Sequence, residues 1–313
     1  MSKIAFLFPG QGAQYVGMGK DFYEEYPEAR QVFEEADDAL GYKLSHLCFN
    51  GPSDELMKTE VTQPAILTTS IAILKVIQKL GVEAEMTAGL SLGEYSALVY
   101  GQAIRFSDAV RLVEKRGRFM QEAVPIGLGK MAALIGIQRI DAKRLCEDLS
   151  EIGVIECSNF NCPGQIVIGG ETKAIEQAVS KAREYGAKRA LLLPVSAPFH
   201  TSLLKPAANQ LEHALTEIQI NNSAVPVVTN IDARLTSNKD AFMFKLKEQV
   251  CSSVLWEDSM KTLFHYDINH FIEIGPGSTL CGFLKKIDRS KTFFSVENIP
   301  SLNQYIQNME VSH

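Results

Sequence analysis

Gly89-Leu90-Ser91-Leu92-Gly93 is the segment of this 313-residue chain best equipped for chemistry. A G-x-S-x-G between a strand and a helix seats its serine on a sharp turn, and the small residues two before and two after it relieve the crowding of that turn. The helix that follows aims free N–H groups and the positive end of its dipole at charge developing beside the hydroxyl. The pattern suits Ser91 to covalent catalysis through an ester at its oxygen. The plainer alternative is a glycine-rich β-to-α turn in which Ser91 only caps the helix. Because the pentapeptide also arises by chance, the strand before it and the helical stretch after it carry the weight for catalysis.

A serine nucleophile needs a base. Of six histidines, His313 is terminal, and His46, His213, His265 and His270 have no flanking turn chemistry. His200 follows Ser196-Ala197-Pro198-Phe199, a turn-forming run, and is the candidate base; the alternative is a solvated or helix-capping imidazole. Serine before histidine is the order of α/β-hydrolases, but no Asp between them stands out as a third member. Gly10-Gln11-Gly12-Ala13-Gln14-Tyr15 mimics G-x-G-x-x-G, yet Tyr15 stands where the third glycine belongs. No acidic residue ends a second strand about 20 residues on, and residues 21–38 read as a polar helix. The loop suits backbone N–H groups approaching a ligand oxygen better than it suits a dinucleotide.

The elements around these segments alternate. Ile4 to Phe8 is an apolar run stopped by Pro9-Gly10, as expected of a strand buried on both faces. Pro64 to Leu80 reads as a helix with Pro64 in its first turn, and Glu85 to Leu90 leads through Ser91 into a helix ending at Tyr100. Phe106 to Gln121 is a further helix carrying Arg116, and Leu204 to Ile218 another. Residues 226–230, 268–274 and 292–296 read as buried strands. Such alternation predicts a parallel sheet covered on both sides. Between 124 and 196 the order becomes strand 131–137, helix 141–150, strand 153–157, strand 165–169, helix 172–185 and strand 190–195. That βαββαβ series is the ferredoxin-like unit. The expected fold is a hydrolase-like α/β domain of residues 1–123 and 197–313, with a small ferredoxin-like domain inserted at 124–196 and a cleft between them.

Composition narrows the function classes. Apolar residues make up 46% and charged residues 22%, ordinary for a globular chain. With 31 basic against 37 acidic residues the net charge is −6, which argues against a nucleic-acid partner. The six cysteines (Cys48, Cys146, Cys157, Cys162, Cys251, Cys281) form no C-x-x-C pair, so neither a zinc site nor a disulfide framework is expected. No uninterrupted apolar run approaches the ~18 residues of a membrane span, and the start of the chain lacks a signal-peptide pattern. The expectation is a cytoplasmic protein with no membrane partner.

Gly10 to Gln14, Gln63-Pro64-Ala65, Gly89 to Tyr95, Arg116-Gly117, Asn159 to Gly164, Ser196 to His200 and Glu273-Ile274-Gly275-Pro276-Gly277 occur together and in order. Over residues 4–285 this series resembles the malonyl-CoA:acyl carrier protein transacylase family of fatty acid synthesis. The resemblance implies Ser91 as nucleophile, His200 as base, and the backbone carbonyl of Gln249 orienting His200 in place of a carboxylate. It also implies an oxyanion hole from the N–H groups of Gln11 and Leu92, Arg116 gripping the malonyl carboxylate, and Gln63 and Asn159 among the substrate-binding residues. A bulky Phe199 goes with malonyl in related acyltransferases, whereas a smaller residue admits methylmalonyl. This sequence departs from the family at Leu90, where histidine is usual; a packing change is expected there. The implied partners are malonyl-CoA and an acidic acyl carrier protein, met by basic residues such as Lys188, Arg189, Lys285 and Lys286. No cofactor or metal is implied, and a monomer is expected. Two other readings use the same Ser–His pair, a serine esterase or thioesterase and a trans-acting acyltransferase of a polyketide pathway. A carrier-binding scaffold without activity would lack one of Ser91, His200 or Arg116.

Overall fold

The structure, a computed structural model, describes residues 3–195 and 197–311; Ser196, in the run before His200, and His313 lie outside the described residues. Strand β1 (Ile4–Phe8) is buried along nearly its whole length, as its unbroken apolar run requires. Helices α1 (Lys20–Glu25), α2 (Pro27–Leu40), α3 (Leu44–Asn50), α4 (Ser53–Leu56) and α5 (Thr59–Lys79) lead to β2 (Met86–Gly89), then α6 (Gly93–Tyr100) and α7 (Phe106–Glu122). Next come β3 (Gly129–Ile135), α8 (Arg139–Asp148), β4 (Ile155–Cys162), β5 (Gln165–Glu171), α9 (Thr172–Lys181) and β6 (Arg189–Leu192). The chain continues through α10 (Lys205–Thr216), β7 (Val227–Val228), β8 (Leu235–Thr236), α11 (Lys239–Gln249) and α12 (Trp256–His265). It finishes with β9 (His270–Ile274), α13 (Thr279–Ile287), β10 (Thr292–Val296) and α14 (Ile299–Val311).

Two sheets result. The larger has the order β10-β9-β1-β2-β7-β8 and is parallel except for the edge strand β8, which runs antiparallel to β7. The smaller has the order β4-β5-β3-β6 and is antiparallel throughout, the arrangement of a βαββαβ unit. In the larger sheet Phe8 lies opposite Gly89, so the Gly10 loop after β1 and the Ser91 turn after β2 leave the sheet side by side. Ligands of open α/β sheets bind beyond these carboxyl ends. Trp256, fully buried, packs at the start of α12 with Leu7, Ala88 and Val254 in a core cluster of this sheet.

Some boundaries differ from expectation. The polar stretch 21–38 is two helices broken at Tyr26-Pro27, since proline restricts its predecessor to extended backbone. Helix α5 begins at Thr59, which puts Pro64 in its second turn. The weak helix formers Thr59, Val61 and Thr62 hide that start, and the Thr62 hydroxyl secures it by donating to the Leu56 carbonyl at 2.6 Å. Among the described residues α5 alone is long and apolar enough to cross a membrane, but it is a core helix with sixteen buried positions. Strand β4 runs on to Cys162 through two register shifts, so Asn159 to Cys162 are strand residues. Strand β6 stops at Leu192; the following Leu193, Pro194 and Val195 line a cleft. Only Val227 and Val228 of the 226–230 stretch join the sheet, and Asn230 turns away from it.

Candidate active site

The Ser91 turn is as tight as its glycines suggest. A Cβ at Gly89 would lie 1.9 Å from the carbonyl carbon and oxygen of Gly93, and one at Gly93 would lie 2.1 Å from the Phe8 carbonyl oxygen. Ser91 itself has φ 54°, a left-handed conformation that costs a residue with a Cβ of order 1–3 kcal/mol. Hydrogen bonds hold it there. The Ser91 N–H donates to Asn230 Oδ1 at 2.6 Å, and Asn230 Nδ2 donates to the Gly89 carbonyl at 2.7 Å.

His200 is buried, also with positive φ (61°), and its Nε2 lies 2.7 Å from the Ser91 hydroxyl oxygen across 109 positions of sequence. Its Nδ1 lies 2.7 Å from the Gln249 carbonyl oxygen. Because a carbonyl can only accept, the proton sits on Nδ1 and Nε2 faces the serine with a free lone pair. Burial and then the nearby Arg116 charge pull the imidazole pKa down to about 4, against the pull of backbone groups of Gln249 and Ser252. The ring is therefore neutral near pH 7, as a base must be.

Arg116, on α7, is almost wholly buried. Its Nη1 donates to Gln63 Oε1 at 2.7 Å, and its Nη2 to Gln249 Oε1 at 2.9 Å and to Ser91 Oγ at 3.2 Å. The Tyr95 ring faces the guanidinium, 5.4 Å from its carbon. None of those acceptors is a carboxylate, and among the described residues Arg116 forms no salt bridge. Burial pushes its pKa down. A buried cation with no carboxylate in contact is costly to keep, and a carboxylate ligand would relieve that cost.

These groups share the floor of a cleft of about 610 Å³. Gln11, Leu92, Asn159 and Phe199 also line it; Gln63 does not, and reaches the site by holding Arg116. Leu92 is the N-cap of α6; the N–H groups of Gly93, Glu94 and Tyr95 after it donate to the carbonyls of Leu90, Ser91 and Leu92, and among the described residues the Leu92 N–H has no backbone acceptor. Leu90 lines the cleft as well, which makes the histidine-to-leucine departure an apolar change in its wall. Lys188, Arg189, Lys285 and Lys286 are exposed, and Lys286 Nζ donates at 2.9 Å to Gln165, which lines the cleft.

Sequence reasoning missed two residues. Asn230 clamps the serine turn from 139 positions away, and Glu94 sits beneath it. Glu94 Oε2 accepts from the Asn230 N–H at 3.0 Å and from Gln249 Nε2 at 2.8 Å. Burial lifts the Glu94 carboxyl to about 7, opposed by those two hydrogen bonds and by the charges of Lys245 and Arg116. Gln249 thus serves twice, its backbone holding His200 and its side chain joining Arg116 to Glu94. Only the position of Glu94 directly after the G-x-S-x-G hinted at any of this.

A serine, a neutral histidine, unbonded N–H groups and a buried guanidinium equip the cleft for acyl transfer from a substrate that carries a carboxylate. Comparison with known proteins agrees. The model of the family described as acyl transferase domain matches residues 5–310. The malonyl CoA-acyl carrier protein transacylase of Bacillus subtilis is 47% identical over 311 residues, covering 99% of this chain and 98% of that protein. The crystal structure of the malonyl CoA-acyl carrier protein transacylase from Clostridium perfringens matches with a TM-score of 0.96 at 45% identity, covering 99% of this chain and 98% of the other. A malonyl-transacylase solved in complex with its type II PKS acyl-carrier protein matches with a TM-score of 0.95 at 41% identity, over 98% of this chain and 100% of that one. The chain belongs to the acyl transferase domain family.

Proposed function

We propose that this enzyme transfers the malonyl group from malonyl-CoA to the phosphopantetheine thiol of acyl carrier protein for fatty acid synthesis, through a malonyl ester on Ser91. The observation that carries the reading is the buried Arg116, without a carboxylate partner, 3.2 Å from the hydroxyl that His200 also holds. His200 Nε2 takes the Ser91 proton as the oxygen attacks the thioester carbonyl. The N–H groups of Gln11 and Leu92 receive the oxyanion, each donor worth on the order of 3 kcal/mol. The imidazolium, held by the Gln249 carbonyl, returns its proton to the departing CoA thiol. The carrier thiol then enters, gives its proton to His200, and takes the malonyl group by the reverse sequence. Exchange between two thiols through an ester divides one transfer into two half-reactions of similar energy.

Arg116 presents a planar fork to the malonyl carboxylate, with Gln63 fixing its orientation. Acetyl would leave the guanidinium unpaired, which selects for malonyl. Phe199 narrows the cleft beside the α-carbon, Asn159 adds a polar contact from β4, and Lys188, Arg189, Lys285 and Lys286 meet the acidic carrier. We read the chain as two units, residues 1–123 with 197–313 and residues 124–196, working in the cytoplasm as a monomer. The similarity to a transacylase bound to a type II PKS carrier supports a polyketide carrier as the second reading of the acceptor.

The test is intact-mass analysis after mixing with malonyl-CoA without carrier. A stable malonyl adduct on Ser91, discharged by carrier and absent from Ser91→Ala, is expected. Continuous hydrolysis of malonyl-CoA without an adduct would make the protein a thioesterase instead.

A further inference from the structure

Every polar group of Asn230, a residue that does not line the cleft, is engaged. Its side-chain oxygen accepts from the Ser91 N–H at 2.6 Å, and its side-chain nitrogen donates to the Gly89 carbonyl at 2.7 Å. Its backbone N–H donates to Glu94 Oε2 at 3.0 Å, and its backbone carbonyl accepts from the Leu255 N–H at 2.8 Å. Asn230 is fully buried, so its carboxamide has no competing water. Both side-chain bonds end on the same turn, one on each side of Leu90. Each needs a different partner type, so the amide has one orientation. That turn holds Ser91 at φ 54°, which the backbone does not favour by itself.

We propose that Asn230 is a positioning residue for acyl transfer: its carboxamide spans the Gly89 carbonyl and the Ser91 N–H and keeps the nucleophile in its left-handed conformation, with Oγ aimed at His200. The inference rests on the reading of Ser91 as nucleophile. Relaxation of φ toward ordinary values would swing the hydroxyl off His200 Nε2, and an ångström of misplacement costs about 100-fold in rate.

Asparagine supplies an acceptor and a donor at every pH, whereas a carboxyl of the same shape supplies the donor only when protonated, so Asn230→Asp isolates the donor. When ionised, the aspartate still accepts from the Ser91 N–H, but its second oxygen opposes the Gly89 carbonyl. Once protonated, that oxygen donates to the carbonyl and the clamp is restored. The charged and titratable groups around position 230 are Glu94 from α6, Lys245 from α11, Asp232 two residues on, and Arg116 and His200 beyond Gln249. Wild type and Asn230→Ala carry the same neighbours without a carboxyl at 230, so the Asn230→Asp profile departs from both only through the new carboxyl and its coupling to Glu94.

The experiment is rapid-quench measurement of Ser91 malonylation by malonyl-CoA, per native molecule as judged by near-ultraviolet circular dichroism. Wild type, Asn230→Ala and Asn230→Asp are compared between about pH 5.5 and about pH 8. Asn230→Ala is expected to lower the acylation rate constant on the order of 100-fold at every pH, with KM for malonyl-CoA changed by less than about threefold. Asn230→Asp is expected to approach wild type at the acid end and fall toward Asn230→Ala at the alkaline end. A role in stability alone would lower the native fraction and leave the rate per native molecule unchanged, and that result overturns the proposal. So does an Asn230→Asp profile that parallels Asn230→Ala at all pH values. Failure of the wild type to acquire the adduct would instead strike the assignment of Ser91.

Discussion

Ser91 and Arg116 compete for description as the centre of this site, and their 3.2 Å contact explains why. In the proposed reaction the guanidinium that receives the substrate carboxylate also touches the attacking oxygen. Arg116→Ala is therefore expected to lower kcat/KM for malonyl transfer on the order of 100-fold, about 3 kcal/mol, the loss of one charge-assisted pair. Acetyl transfer has no carboxylate to lose and is expected to change by less than about tenfold. Parallel assays with the two CoA esters check it; equal losses would remove the selective role. In the proposed reaction His200 sets the pH response. Its pKa is lowered to about 4, so the neutral, basic form persists well below the usual histidine range. Acylation of Ser91 at saturating malonyl-CoA is expected to lose no activity to His200 protonation from about pH 8 to about pH 5.5 and to fall toward pH 4. A half-loss near the ordinary value of about 6.5 would mean that the imidazole is hydrated rather than buried. The same shift bears on stability: below about 6.5 the unfolded chain takes a proton that folded His200 refuses. Its stabilising contribution is complete above that value and lost as pH falls toward 4.

At the scale of elements, the pairing of α5 with α7 sets the distance between Gln63 and Arg116. Gly117, next to Arg116, makes that approach possible. A Cβ there would lie 2.6 Å from the Thr59 carbonyl oxygen and 2.7 Å from Glu60 Cα, both backbone atoms unable to move aside. Gly117→Ala is expected to destabilise by about 1–3 kcal/mol in denaturant titration, the usual result of overpacking. It is also expected to depress malonyl more than acetyl transfer, because Arg116 moves with its helix. Unchanged selectivity in a folded variant would separate the helix contact from the specificity. Here the limits of sequence reading also become visible. The β1 run, the serine turn and the βαββαβ order were legible because each is written in local periodicity and turn residues. The start of α5 was not, since threonine and valine are poor helix formers held there by later contacts. Asn230 ends a stretch whose residues suggest a strand, because nothing near 230 announces a partner at 91. The carboxamide of Gln249 joins α7 to α6 through Arg116 and Glu94, a link that exists only once three distant segments are folded.

For the whole molecule, the site binds the fold together as much as the fold positions the site. Residues from Pro9 to Phe283 line one cleft, from the strands of the smaller sheet, the loops that leave the larger one and the helices between them. A ligand that pairs with Arg116 should then stabilise the entire chain. Malonyl-CoA at about 100 times its Kd is expected to add about 2.7 kcal/mol to Ser91→Ala, which binds without acylation. A thermal shift of several degrees, larger than that from acetyl-CoA at equal concentration, checks this; equal shifts would mean that the carboxylate is not recognised. Trp256 is the chain's one tryptophan, fully buried one residue beyond the Leu255 N–H that Asn230 receives. The enzyme thus carries its own optical gauge of the segment that moors the Ser91 turn. Its lone indole is expected to emit in the blue while the segment from 230 to 256 stays closed, and to redden as water reaches that ring.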